Sequence, residues 1–449
     1  MTPFQNIGLF ILTILILLMI SVPPILFLVW YFYDKKQSQH SILRNFPLLG
    51  RIRYLLEMLG PEFRQYLFDS DSEGRPFSRS DFSNIVIQGK YLKTVIAFGS
   101  KRDFSKPGFY LRNSMFPKQK EEMKVTLSPK IPTKRYVGTE GLFSRTEHLE
   151  GVDVSPWTLP DENAIIIGPK CKEPWHVKGP VGMSAMSYGA LGENAISSIS
   201  HGLGMATGSW VHTGEGGLAP YHTIGGGDVI MQIGSGIFGV RNEDGSFSWE
   251  KFKEKASNPH LRCFEIKLAQ GAKIRGGHVE GSKINEEIAA IRGVKAWKTV
   301  DSPNRHNQFH DIPSLFDFID EMRNIGGKPI GIKLVMGGPD SADELTKLMS
   351  ETGRGPDFIT VDGGEGGSGA TYQEMADTMG LPINSGLIYL DDALRKNGVR
   401  DKVKIFASGK LFSPDKIAIA LASGADLVNI ARGMMISVGC IGAMKCHTN

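Results

Sequence analysis

Phe358-Ile359-Thr360-Val361-Asp362-Gly363-Gly364-Glu365-Gly366-Gly367-Ser368-Gly369-Ala370 is a short, β-rich apolar run that breaks into a loop crowded with glycine. The same unit recurs along the chain. Runs at Val181–Met186, Ser209–His212, Val229–Ile233, Cys263–Leu268, Ile330–Val335, Phe358–Val361, Val403–Ala407 and Leu427–Ile430 are predicted as strands. Helical patterns lie between them, among them Asn194–Ala206, Lys283–Arg292, Ile312–Asn324, Ala342–Thr352 and Pro414–Ser423. Near-continuous apolar strands alternating with helices imply a parallel sheet buried on both faces. Eight such units predict an α/β chain closed as a (β/α)8 TIM barrel. An open doubly wound sheet would begin with a G-x-G-x-x-G turn between strand and helix, and no strand here is followed by one in that context.

A barrel of this type places its active site where strands end and loops begin. Here those loops carry Ser184-Ala185-Met186-Ser187-Tyr188-Gly189, His212-Thr213-Gly214-Glu215-Gly216-Gly217, Gln232-Ile233-Gly234, and Lys267-Leu268-Ala269-Gln270-Gly271-Ala272-Lys273. Lys333 lies on the fifth strand and the glycine-rich stretch above follows the sixth. One glycine-rich loop is explained by a tight turn. Six polar or glycine-rich loops on one rim point to a ligand approached closely by backbone. Glycine is in excess accordingly, 53 of 449 residues against a usual ~7%.

Composition sets the outer limits. With 41% hydrophobic and 22% charged residues the chain is a folded globular protein, and its net charge of +4 is spread without a basic, aromatic-interleaved run. That excludes a legible nucleic-acid surface. Residues 8–33 are apolar except for Thr13 and Ser21, long enough to cross a ~30 Å hydrocarbon core. A secretory signal would need a basic n-region and a small-residue cleavage site, and neither is present. Pro23-Pro24 is expected to kink or divide the span. Trp30, Tyr31 and Tyr33 suit an interface, and Lys35, Lys36, Arg44, Arg51 and Arg53 follow. Positive charge after the span predicts a single-pass membrane protein with its body in the cytoplasm. Residues 1–34 thus form an anchor, 35–150 an irregular cap with short helices broken at Pro47 and Gly50, and 151–449 the barrel domain.

Met186-Ser187-Tyr188-Gly189-Ala190, Thr213-Gly214-Glu215-Gly216-Gly217, Gln270-Gly271-Ala272-Lys273 and the Asp362–Ala370 stretch resemble, in order, the synthase-domain motifs of glutamate synthases. Ser302-Pro303 and Asp311-Ile312 sit where that family carries related segments, and the likeness covers about residues 175–449. It is greatest to the single-domain, membrane-anchored FMN-binding form. The resemblance implies FMN. Its phosphate would take the loops after strands seven and eight, Ser408-Gly409-Lys410 and Arg432-Gly433, as phosphate does generally in such barrels. Lys333 would face the flavin N1 and C2 carbonyl and favour the reduced anionic ring. Gln232 would bond the pyrimidine edge, the Ser184, Met186 and Ser187 backbone would line one flavin face, and Gly363, Gly364, Gly366 and Gly367 would approach it. The implied substrate is 2-oxoglutarate, with Lys267, Lys273 and Arg292 as cationic anchors and Gln270 and Glu215 beside the reacting carbon. Arg292 reads equally well as a helix-capping charge. Glu215 is the expected proton carrier, with a carboxyl raised by its surroundings.

Cys440 and Cys446 match two of three thiolates that hold a [3Fe-4S] cluster in that family, so a cluster is expected only if the chain continues past Asn449. Cys171 and Cys263 read as core thiols. Ile274-Arg275 and Asn304 depart from the family pattern, which leaves another 2-oxo or 2-hydroxy acid, or a tethered flavin module for electron transfer, as alternatives. No glutamine-hydrolysing nucleophile or NADPH-binding domain is legible. The expected partners are therefore an electron donor, such as a ferredoxin or reductase subunit, and an ammonia-supplying glutaminase.

Overall fold

The computed structural model describes residues 3–449 except 69, 98, 113, 128–129, 138–148, 271–276, 368–370, 441 and 443–449. The chain divides into two compact units, Met1–Phe82 and Ser83–Asn449. The first opens with one helix, Pro3–Lys36, whose side chains from Phe10 onward are almost all exposed. Pro23 and Pro24 lie inside it without dividing it. Just before them the Ser21 hydroxyl bonds the Leu17 carbonyl at 2.7 Å, a local bond of the kind that lets an apolar helix accommodate proline. Helices Ser41–Asn45 and Leu49–Phe63 follow, separated at Leu48, whose φ is +63°.

The second unit holds the barrel. Its strands are β1 (Val181–Met183), β2 (Trp210–His212), β3 (Asp228–Ile233), β4 (Leu261–Lys267), β5 (Ile330–Leu334), β6 (Phe358–Asp362), β7 (Lys404–Ser408) and β8 (Leu427–Ile430). All eight lie where the sequence places them and are parallel, in the order β1-β8-β7-β6-β5-β4-β3-β2. The ring closes between β1 and β2 without a regular ladder. There the Ser209 hydroxyl donates to the Val181 carbonyl at 2.6 Å and Gly179 N–H to the Gly208 carbonyl at 2.8 Å. Helices Glu193–Ala206, Trp249–Ala256, Ile312–Gly326, Pro339–Thr352, Ile383–Lys396 and Pro414–Ala422 follow β1, β3, β4, β5, β6 and β7, and the short helix Pro220–Thr223 follows β2. The main core joins the outward strand residues, such as Met231, Ile266, Ile332, Ile359 and Val428, to residues of these helices.

Alternation along each strand divides the interior of the barrel into two halves. Its lower half is apolar: Trp210, Ile230, Cys263, Phe358, Phe406 and Leu427 form one cluster. A hairpin of Ile165–Ile167 and Trp175–Val177 closes this end. Trp175 meets the Trp210 ring edge-on at 5.8 Å and stacks on Phe406 at 6.5 Å, while its indole N–H is bonded to Asp228 at 2.8 Å. The aromatic plug leaves no room beside it, and a Cβ on Gly331 would lie 2.3 Å from the Phe358 ring. Above the plug, every inward position described below is polar.

Gly331→Ala should therefore destabilise the protein by roughly 1–3 kcal/mol through overpacking. Phe358→Leu in the same chain should recover part of that loss in thermal unfolding of the solubilised protein. Unchanged melting of the single variant would contradict the plug.

Candidate active site

The upper interior is built around Glu265, fully buried in the middle of β4. Its Oε1 accepts from the Gln232 amide at 2.5 Å and from His212 Nε2 at 3.2 Å, and its Oε2 from the Thr360 hydroxyl. Gly214 N–H donates to His212 Nδ1 at 3.2 Å, so the proton of a neutral ring sits on Nε2, facing the carboxylate. Bonds between β4 and β6, across the intervening β5, place all these groups inside the ring. Burial works to raise the Glu265 carboxyl, but His212, the Lys333 charge and the Thr360 bond outweigh it and hold the group well below its ordinary value. Lys333 lies 3.2 Å from Asp362 Oδ2, both nearly inaccessible. Burial works against its ammonium, yet Asp362 and Glu265 raise it further, so it stays charged.

Around this centre the loops converge. Ser184 and Ser408 face each other at 3.1 Å across the β1 and β7 ends. Gly363 N–H bonds the Ser408 carbonyl at 2.8 Å, and a Cβ on Gly409 (φ +140°) would lie 3.2 Å from that nitrogen. Lys410 beside it has a φ of +55°, costly for a side-chain-bearing residue. Arg432, at the end of β8, donates to the Glu365 carbonyl at 2.7 Å and lies against Gly367, so β6 and β8 loops meet over the same corner. Gly433 is buried against Phe412, Gly364 bonds the Leu381 carbonyl at 2.8 Å, and Gly366 N–H bonds the Gly363 carbonyl at 2.9 Å. A loop of close backbone approaches with an arginine at its edge fits an anionic group.

On the opposite side of the mouth, Lys267 Nζ pairs with Glu215 Oε1 at 2.6 Å. Gly234 makes that pair possible, since a Cβ there would sit 2.3 Å from the Glu215 carboxylate. The expectation of a raised Glu215 carboxyl meets a structure in which that group already faces an ammonium. Gln270 reaches over to the Gly367 carbonyl at 2.7 Å. Met186 is buried, and Ser187 packs against Gly214 and Gly216 of the next loop.

Arg292 ends the helix Glu286–Arg292, as expected, but it turns inward and is 3% exposed. Its guanidinium donates to the Tyr188 carbonyl at 3.1 Å and lies 5.3 Å from the Phe238 ring, bracing three βα loops from beneath. Its Nε has no partner among the described residues, and burial lowers its pKa. Cys440 follows the helix Arg432–Ser437 and is half-buried; among the described residues no group of three His, Cys, Asp or Glu could hold a metal. Lys273 and Cys446 lie outside the described residues.

The structure thus gathers Gln232, Lys267, Lys333, Glu215, Ser184 and Ser408 at one mouth. It adds His212, Glu265, Thr360 and Asp362, to which the loop-by-loop reading gives no role. Their signal is alternation within the strands: Cys263-Phe264-Glu265-Ile266-Lys267 and Phe358-Ile359-Thr360-Val361-Asp362 turn polar at every second position toward their ends.

A sequence profile described as the conserved region in glutamate synthase matches residues 119–449. The chain is 55% identical over 432 residues to the glutamate synthase large subunit-like protein YerD of Bacillus subtilis, covering 96% of this chain and 82% of that one. It is 31% identical over 272 residues to an archaeal glutamate synthase [NADPH] of Methanocaldococcus jannaschii, covering 60% of this chain and 50% of that one. Among solved structures, a mandelate oxidase with an FMN adduct aligns at 15% identity and a TM-score of 0.37 over 61% of this chain and 71% of that one.

The Glu265 centre makes a pH-dependent prediction. A carboxyl held below its ordinary 4.5 stabilises the fold fully above that value, and the contribution is lost as pH falls toward the folded-state value. Glu265→Gln should cost about 1.5–3 kcal/mol at neutral pH and should flatten the loss of stability below pH ~4.5. Parallel acid limbs for the two proteins in denaturant titrations would contradict the network.

Proposed function

This chain belongs to the glutamate synthase family, and we propose that it is an FMN-dependent oxidoreductase that reductively aminates 2-oxoglutarate to L-glutamate. The observation that carries the reading is the pairing of a buried polar centre, Lys333 on Asp362 and Gln232 on Glu265, with a close-packed backbone corner at Ser408, Gly409, Gly363 and Arg432. A barrel interior rarely holds a lysine, a glutamate and an aspartate unless they serve a ligand.

When bound, the flavin supplies the hydride chemistry that side chains lack. The chain's residues do the rest. Gln232 has its amide nitrogen fixed on Glu265, which leaves its carbonyl free to accept from a ring N–H. Lys333 brings a permanent positive charge to the same place, and Asp362 and Glu265 keep it protonated. The β7 and β8 loops would take a phosphate, with Arg432 as its charged partner and the left-handed Lys410 beside Gly409 in the same turn. Lys267 would trade its bond to Glu215 for a substrate carboxylate, releasing Glu215 to hold or deliver a proton beside the reacting carbon. Arg292 acts as a strut for the three loops rather than as an anchor. Electrons and ammonia come from partner proteins, and any iron–sulfur cluster would draw on Cys440. The exposed apolar helix Phe10–Lys36 is read as a membrane anchor, with the barrel on the cytoplasmic side.

Two measurements test this. Anaerobic protein reduced with dithionite should be reoxidised by 2-oxoglutarate and ammonium together, with glutamate formed, and Lys267→Met should raise the 2-oxoglutarate requirement at least tenfold. Reoxidation by a 2-hydroxy acid's oxo product without ammonium would assign a different substrate. Separately, Lys333→Met should lower the flavin midpoint potential by roughly 30–60 mV, about 1.4–3 kcal/mol for a two-electron couple. An unchanged potential would make Lys333 a structural charge.

A further inference from the structure

We propose that the helix Leu49–Phe63 lies in the membrane surface, its apolar stripe in the acyl boundary, pinned to the end of the span by Asp34 and Arg51. The proposal rests on reading the helix Pro3–Lys36 as membrane-spanning. Leu49, Ile52, Leu55, Leu56, Leu59 and Phe63 recur at helical spacing and share one face. All are exposed, from 37% at Leu59 to 68% at Leu49. Leu67 and Phe68 extend the exposed apolar surface into the π turn Arg64–Phe68. A monomeric soluble surface rarely leaves such a stripe to water.

What covers the stripe is indicated by where the helix begins. Asp34, the first acidic or basic side chain in the sequence, is fully buried although it sits near the end of an exposed apolar helix. Arg51 grips it with two bonds, Nε to Oδ2 at 3.0 Å and a terminal nitrogen to Oδ1 at 2.6 Å, and Leu48 N–H adds a third at 3.1 Å. The same guanidinium lies 5.4 Å from the Trp30 ring, in the stretch suited to the headgroup level. The first turn of Leu49–Phe63 is therefore held at the depth at which the span leaves the bilayer. From that point a helix of 15 residues runs about 22 Å. Gly50 is buried against Leu43, which fixes the helix's other side on the short helix Ser41–Asn45. Arg53 and Glu57, exposed and paired at 2.7 Å, lie beside the stripe. An apolar stripe flanked by arginines and starting at headgroup level fits the interface of an anionic bilayer.

The test uses the full chain in phosphatidylcholine–phosphatidylglycerol vesicles, with Cys440 and Cys446 replaced by serine. Cys171 and Cys263 stay; burial pushes the first up to about 12 and the second well above its ordinary value, so neither labels readily. A nitroxide is placed singly at Leu17→Cys, Ile52→Cys, Leu59→Cys or Arg53→Cys, and its collisions with oxygen and with a water-soluble nickel chelate are measured by EPR. The expected result is oxygen-dominated collision at Leu17, Ile52 and Leu59, with the latter two shallower, and nickel-dominated collision at Arg53. Lipid exposure at Leu17 with water exposure at Ile52 and Leu59 would overturn the surface helix and leave the anchor standing. Positions 52 and 59 shielded from both reagents would overturn it in favour of a protein partner. Water exposure at Leu17 would remove the anchor and the proposal together.

Discussion

Glu265 is a carboxylate at the centre of a closed barrel, and the structure around it is arranged so that it can remain one. Isolated in that position it would cost several kcal/mol. His212, Gln232 and Thr360 donate to it from three other strands, and Lys333 answers its charge while being held in turn by Asp362. Each partner comes from a different strand, so the network is satisfied only when β2, β3, β4, β5 and β6 stand in their present register. Such networks seldom exceed a hydrophobic core in stability. Their retention on an axis that phenylalanines already fill from below speaks for a ligand above.

The two halves of the interior divide the labour accordingly. Below, Trp175, Trp210, Phe358 and Phe406 make a packed plug in which even Gly331 has no slack. Above, the loops surrender packing for reach: Gly234 gives up a side chain so that Glu215 can meet Lys267, and Gly409 lets two backbones approach at the corner of the mouth. Barrels generally keep stability at the N-terminal face and chemistry at the C-terminal face, and here the split runs through single strands.

How much of this was legible depends on which periodicity carries the information. Buried parallel strands between turn signals are local features, so all eight were readable, with β1 ending at Met183, short of the expected Met186, although Ser184 N–H still bonds the Ile430 carbonyl. The helix Ile383–Lys396 carries Asn384-Ser385-Gly386 in its first turn, and Gly386 lies close against Val361 and Met336. Glycine loops announced the rim and Gln232 and Lys333 were legible there, but Glu265 at their centre was not, because its partners come from four other strands and meet only when the sheet curves inward. Arg292 shows the converse: at a helix end it reads equally as a substrate anchor and as a capping charge, and only the fold reveals that Gly189 and Gly216 make room for it to turn inward.

The proposed function requires this polar interior to hold FMN. The direct measurement is titration of the flavin-free, detergent-solubilised chain with FMN, followed by quenching of flavin fluorescence and by absorbance of the bound ring after gel filtration. Saturable binding of one FMN per chain, with bound flavin retained through the column, is expected. Fluorescence that rises linearly with added FMN, with colourless protein recovered, would contradict it.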